Sequence, residues 1–235
     1  MSIVTMEGYD EGEILLLAGY PFYMKQPTER MSKLFDKYET ILRQVLGSEV
    51  VGVYSMGSGA IPGMVGSPMI DILLAMRNAP PTEVQLSKLK EIGVGLIGDG
   101  KSPHDPSDTW FQNLDFPTQG NFEEFKVNGA HPPDGYLGRL IVHFCPYQSQ
   151  FVHNSLCYVE YLKQNQDAFN RYRDVKIEGA RMQCDGNEIK ADQSGMSAFR
   201  KYKMHKTKVV KELIEESKTW GEKEENFNLP RELME

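Results

Sequence analysis

No stretch of this 235-residue chain approaches the ~20 consecutive apolar residues that a membrane-spanning helix requires. Its N-terminus has no basic region followed by an apolar stretch, so no signal peptide is expected. Cysteine is scarce. Cys145, Cys157 and Cys184 are odd in number, and their spacing fits neither a zinc site nor a disulfide framework. They read as reduced thiols, and these absences together predict a cytoplasmic protein with no membrane partner. A positive excess is also missing: 26 Lys and Arg face 33 Asp and Glu, a formal net charge of -7, which argues against a nucleic-acid partner. There is no internal repeat and no long low-complexity segment. What remains is ordinary globular composition, 40% hydrophobic, long enough for one domain with additions or two small ones.

Residues 1 to 12 are polar and read as loosely ordered, and Glu13 to Tyr20 as an edge strand. From Thr28 to Leu46 the apolar positions Met31, Leu34, Phe35, Tyr38, Ile41, Leu42 and Val45 make an amphipathic helix that Gly47 stops. Thr82 to Ile92 reads as a shorter helix and Gly93 to Ile97 as a strand. Gly98 to Ser107 reads as a loop. Trp110 to Phe116, Asn121 to Val127 and Tyr136 to Phe144 then read as three strands. Phe151 to Gln164, Asp167 to Glu178 and Ser197 to Trp220 are expected helices, with a polar, broken stretch from Gly179 to Ser194 and a mobile charged tail from Gly221. Helices and strands alternate first, strands run through the middle and helices close the chain. That order predicts an α+β fold with a mixed sheet.

The most informative stretch is Val50 to Met76, VVGVYSMGSGAIPGMVGSPMIDILLAM. An apolar strand ends in Gly57-Ser58-Gly59, and a second apolar strand from Met69 carries one carboxylate, Asp71. A Gly-Ser turn at a strand end lets backbone amides and a hydroxyl point at an anion. An acid on the neighbouring strand can hold a divalent cation beside it. The plainer reading is a tight turn that binds nothing, with Asp71 reaching solvent.

Two later helices place lysines on apolar stripes. Phe169, Tyr172 and Lys176 share one face, as do Tyr202, Lys206, Val209 and Leu213. Such a lysine either packs its stem on the core and sends its ammonium to water, or reaches an anion in a cleft. Arg200, Lys201, Lys203 and Lys208 read as a solvated basic face. His143, near the end of a strand, is either a core-edge histidine or a partner of Asp71.

In order, these residues resemble the GrpB family of the nucleotidyltransferase superfamily, whose fold is similar to polymerase β. Gly57-Ser58-Gly59-Ala60-Ile61-Pro62-Gly63 followed by Pro68-Met69-Ile70-Asp71-Ile72 looks like its GSTAVPGL…KPIIDI signature. Val142-His143-Phe144 is similar to its His-Leu-His-Val strand. Tyr158 to Lys163 resembles its Phe-Arg-Asp-Tyr-Leu-Arg helix, and the Tyr172/Lys176 and Tyr202/Lys206 pairs match two later Tyr-x-x-x-Lys positions. Leu73 stands where the superfamily has a second carboxylate. Ile141 replaces the first His, and Val159 and Glu160 replace the Arg and Asp.

The resemblance implies a nucleotidyltransferase-like α/β core over 1–148, a helical part packed on it over 149–220, and a charged tail over 221–235. It implies a metal-dependent transferase acting with a nucleoside triphosphate such as ATP on a small-molecule acceptor. Gly57, Ser58, Gly59, Tyr172, Lys176, Tyr202 and Lys206 would bind nucleotide. Asp71 and His143 would be catalytic and hold magnesium, or manganese or zinc. Two alternatives share the site: a ligase-like, acyl-activating enzyme, and a non-catalytic nucleotide- or metabolite-binding protein.

Overall fold

Residues 14–17, 20–23, 28–66, 69–92, 94–101, 109–113, 139–184, 198–223 and 227–234 of the computed structural model are described. The single edge strand expected over Glu13 to Tyr20 is instead two short strands, β1 (Ile14–Leu17) and β2 (Tyr20–Tyr23), paired antiparallel in a sheet of their own.

Helix α1 (Thr28–Leu46) spans the predicted stripe and ends at Gly47, whose φ of 61° begins a short 3-10 turn. Strands β3 (Val50–Met56) and β4 (Met69–Met76) form where the apolar runs place them. Helix α2 (Glu83–Glu91) starts at a capping box in which Thr82 and Gln85 satisfy each other's backbone amides.

The sheet continues with β5 (Val94–Lys101), β6 (Thr109–Asn113) and β7 (Arg139–Pro146). Strand β5 runs four residues past the expected Ile97, through Gly98 and Asp99. Lys101 still pairs with Thr109 after a register shift beyond Leu96, so backbone pairing carries an irregular strand through polar sequence. Strand β6 covers the first part of the run expected over Trp110 to Phe116. Strand β7 runs two residues past the expected Phe144, to Pro146, and the expected start over 136–138 lies outside the described residues. The strand expected over Asn121 to Val127 lies outside the described residues.

The five strands are ordered β3-β4-β7-β6-β5. Only β4 and β7 run parallel, so the sheet is mixed. Strand alternation sorts its faces. Ile70, Ile72, Leu74, Met76, Leu140, Val142 and Phe144 point to one side, where Leu42 and Leu46 of α1 and Leu89 of α2 meet them. Leu73, Ala75 and Cys145 point to the other side.

That second face is covered by the helical part. Helix α3 (Gln150–Gln164), capped by Ser149, presses Val152 and Leu156 onto it. Helices α4 (Gln166–Cys184) and α5 (Ala198–Gly221) pack on α3. They share a third cluster in which Ile61 and Met64, from the glycine-rich segment, meet Val159, Leu162, Tyr172, Val175 and Leu213. The helices are thus seated directly on the segment that follows the Gly-Ser turn. Arg171 of α4 grips both oxygens of Glu216 on α5 at 2.8 and 2.9 Å, and Tyr161 of α3 donates to the same carboxylate at 3.0 Å.

Two expectations fail here for identifiable reasons. Helix α4 does not stop at Glu178 but continues to Cys184. Gly179 is a packing residue: a methyl there would lie 2.9 Å from His205 Cδ2 and 3.3 Å from Tyr202 Cδ2 on α5. Gly179→Leu should therefore pry α4 from α5 and cost about 2 kcal/mol through overpacking, measurable by denaturant unfolding. The C-terminal segment is not a free tail. Phe227, Leu229 and Leu233 join the cluster beneath α3, and Tyr54 of β3 donates to Glu232 at 2.8 Å.

Candidate functional site

Strand β3 ends at Met56, and the chain turns through a 3-10 segment, Gly57–Ala60. Gly57 adopts φ 65°, a conformation that strains any side chain. It is also closed sterically, because a methyl there would lie 2.6 Å from Asp71 Oδ2. The glycine is required twice, once for the turn and once for the close approach of the Asp71 carboxylate.

Asp71 lies opposite Met56 in β4 and beside Ile141 in β7, and His143 of β7 lies beside Leu73. Parallel partners share a face, so Asp71 and His143 project on the same side, one two-residue step apart along neighbouring strands. His143 is buried, with its ring stacked on Phe151 of α3 at 6.1 Å. Phe151 gave no signal in sequence, because nothing there says which aromatic covers the strand end.

The lysine stripes of α4 and α5 face this point. Lys176 is 1% exposed, so its ammonium does not snorkel to bulk water. It sits 4.8 Å above the ring of Tyr172, and Lys206 sits 5.2 Å above that of Tyr202. Gly66 links the helices to the turn: a methyl there would lie 3.0 Å from Lys176 Nζ and 3.2 Å from Ser58 Oγ. Hydroxyl and ammonium therefore flank one point that no side chain fills. Gly66 was missed because it lies beyond the glycine turn, and its role depends on a helix more than 100 residues later in the chain.

The electrostatics describe one coupled site. Burial pushes the Asp71 carboxyl above the usual range, while His143, Lys206, Lys176 and Lys203 pull it back down. Burial holds Lys176 well below the ordinary lysine range; Lys206 pushes the same way and Asp71 opposes. The ammonium of Lys206 lies among protein atoms, and burial with Lys203 nearby brings it down to about 8, again opposed by Asp71. Tyr172 and Tyr202 are raised chiefly by burial. Lys203, read as part of a solvated basic face, is exposed yet contributes to this field.

A pH dependence follows from Lys206. An unfolded lysine titrates near 10.5 and the folded one near 8. Between these values the unfolded chain binds more protons, so stability rises with pH. The melting temperature of wild type relative to Lys206→Met should climb from about pH 8 to pH 10. A flat difference would show that Lys206 is solvated like a surface lysine.

Asp71 and His143 bring one carboxylate and one imidazole, and among the described residues no group of three or more His, Cys, Asp and Glu side chains could hold a metal ion. Magnesium commonly takes one or two carboxylates and completes its shell with phosphate oxygens and water. The pair fits a single ion that arrives with a phosphate ligand. It does not fit a resident two-metal centre, because the next same-face position is the fully buried Leu73.

A strand, a Gly-Ser turn and an acid on the adjoining strand of a mixed sheet, capped by helices, define a nucleotidyltransferase-like protein. Comparison with known proteins gives the particular family: the model described as GrpB protein matches residues 21–216, and the chain belongs to the GrpB family, within that superfamily. The glutamate-rich protein GrpB of Alkalihalophilus pseudofirmus is 32% identical over 37% of this chain and 47% of its own length. The UPF0157 protein YqkA of Bacillus subtilis is 29% identical over 33% of this chain and 26% of its own length. These alignments span about half or less of the curated relatives. The crystal structure of conserved protein GrpB from Enterococcus faecalis superposes with a TM-score of 0.59 at 18% identity, covering 82% of this chain and 96% of that one, and shows the shared fold.

Among the described residues no helix is long and apolar enough to cross a membrane. Cys145 and Cys157 are buried, and the Cys157 thiol donates to the Ser217 carbonyl at 3.1 Å.

Proposed function

We propose that the cleft binds a nucleoside triphosphate such as ATP and transfers its nucleotidyl or phosphoryl group to a small-molecule acceptor in the cytoplasm. The observation that carries this reading is Lys176: a buried lysine flanking the same point as the Ser58 hydroxyl, in the field of Asp71 and a second lysine. A buried ammonium without a neutralising partner is costly, and an anionic ligand is what relieves it. Ser58 and the amides of Gly57 and Gly59 cradle phosphate, Lys176 and Lys206 neutralise it, and Tyr172 and Tyr202 hold the two ammonium groups in place. Asp71 and His143 would hold the magnesium, or manganese or zinc, that accompanies the nucleotide. Such an ion polarises the phosphoryl group when bound. His143 would accept a proton from the acceptor hydroxyl or amine.

Leu73 favours a second reading. With the second acid replaced by a core residue, a protein that binds nucleotide or metabolite without turning it over keeps every feature above except the metal pair. An acyl-activating reaction would use the same triphosphate site, with a carboxylate as acceptor.

Asp71→Asn separates the readings. If the protein is a transferase, pyrophosphate or nucleoside diphosphate release across a panel of acceptors should fall by about two orders of magnitude or more, with triphosphate binding retained. Tight binding without turnover in wild type would leave the non-catalytic reading. Activity unchanged in Asp71→Asn would overturn the site assignment.

A further inference from the structure

We infer that Lys176 and Lys206 stand in for a second metal ion, so that this chain anchors a run of two or more linked phosphates on ammonium groups and needs no divalent cation to bind it, the single ion at Asp71 and His143 serving the transfer step instead. The inference rests on the nucleotide reading above and narrows its ligand class to polyphosphates.

Three observations lead to it. First, the position two residues beyond Asp71 on its face is Leu73, 0% exposed in a cluster with Ala75, Cys145, Val152, Leu156 and Leu233. That cluster has no vacancy for a second carboxylate, and the described residues offer no third ligand. Second, the positive charge a second metal would bring is supplied by side chains. Lys176, Lys206 and Lys203 act on the one carboxylate; beyond burial, Lys206 disfavours the charged form of Lys176, and Lys203 that of Lys206. One carboxylate cannot neutralise this set. The excess is divided between ammonium groups on two different helices, so linked phosphates can meet both where a single small anion meets one. Third, the geometry keeps the ammonium groups available. Each is held over a tyrosine ring, a contact that orients a cation without cancelling its charge, and Gly66 leaves open the point between Lys176 Nζ and Ser58 Oγ.

The two lysines come from different helices, and both helices pack on the glycine-rich segment through Ile61, Met64 and Tyr172. A phosphate chain spanning the turn and both ammonium groups would bond the core to the helical part without any metal. Lysine acts here as a point charge with three donors, suited to a phosphate whose oxygens point in several directions.

The test is isothermal titration of the full chain with inorganic tripolyphosphate, in EDTA and in magnesium. Affinity in EDTA should lie within about threefold of that in magnesium, Lys206→Met should weaken it about tenfold or more, and Lys206→Arg should restore most of it. Orthophosphate and sulfate should bind at least about tenfold more weakly than tripolyphosphate. Thermal melts establish that the variants are folded. Binding that appears only with magnesium would overturn the inference and leave the nucleotide reading standing. Failure of both tripolyphosphate and ATP to bind under either condition would overturn both. Equal binding of orthophosphate and tripolyphosphate would reduce the site to a single-anion pocket and also overturn the inference.

Discussion

Lys176→Met should make the protein more stable while weakening polyphosphate binding by about two orders of magnitude. The two effects share one cause. Lys176 is 1% exposed, with Tyr172 beneath its ammonium and Lys206 beside it in the electrostatic field. Folding takes this group out of water and offers it one carboxylate, Asp71, which also serves His143, Lys206 and Lys203. Methionine has a similar length, no charge and enough rotamer freedom to fill the same channel. Replacing a buried charged group by a well-packed apolar side chain is commonly neutral or stabilising by about 1–4 kcal/mol. Removing one partner of a buried charged contact with a ligand costs about 2–5 kcal/mol, or about 30- to several-thousand-fold in affinity. Thermal unfolding and tripolyphosphate titration of the same variant measure both. A variant that melts lower and binds as well as wild type would mean that Lys176 props the helices apart and meets no ligand. The opposed signs are the signature of a group kept for binding at the expense of stability.

How much of this was legible in the sequence divides along a physical line. Local pattern placed α1, β3 and β4 correctly, because a 3.6-residue stripe and two short apolar runs each determine their own conformation. The α+β class and the mixed sheet followed from element order. Residues whose roles are set by distant packing were misread. Gly179 reads as a helix stop and is an interhelical contact. Gly98 to Lys101 read as loop and are strand, because pairing with β6 outweighs their composition. The C-terminal segment reads as solvent-borne because a few apolar residues are diluted among charges, yet Phe227, Leu229 and Leu233 dock. In the site, Ser58, Asp71, His143, Lys176 and Lys206 were all named from the chain, and the fold brings them to one place. The spacing of Tyr172 and Lys176 showed that they share a face. It could not show whether the ammonium reaches water, since that depends on what α5 and the glycine-rich segment place above it. Gly66 carries no local mark that separates it from the other glycines of this segment.

Leu73→Asp tests from the other side whether the missing acid is a local loss or part of a rebuilt site. Were the loss local, restoring a carboxylate two residues from Asp71 would recreate a metal pair at modest expense. The packing says otherwise. Leu73 is fully buried against Val152 and Leu156 of α3 and Leu233 of the docked C-terminus, so the new carboxylate would enter an apolar layer beside an existing acid. An unpaired buried charge costs about 3–5 kcal/mol, a large part of the ~5–15 kcal/mol that holds a domain folded. The variant should therefore unfold at markedly lower denaturant than wild type. The introduced carboxyl would titrate above its unfolded value, so the folded state would bind the extra proton. Stability should then recover as pH falls toward 5 and decline as pH rises, to the extent that other acids permit. Added manganese should raise the melting temperature of Leu73→Asp if the two acids can meet one ion, since a ligand that binds only the folded state stabilises it by mass action. If manganese rescues stability fully and wild type shows no shift, the metal pair is one substitution away and the lysines are an addition to it. If manganese has no effect, the apolar layer and the lysine pair evolved as one arrangement: the face beneath α3 has been closed to a second ion, and the positive charge such an ion would bring enters instead from α4 and α5.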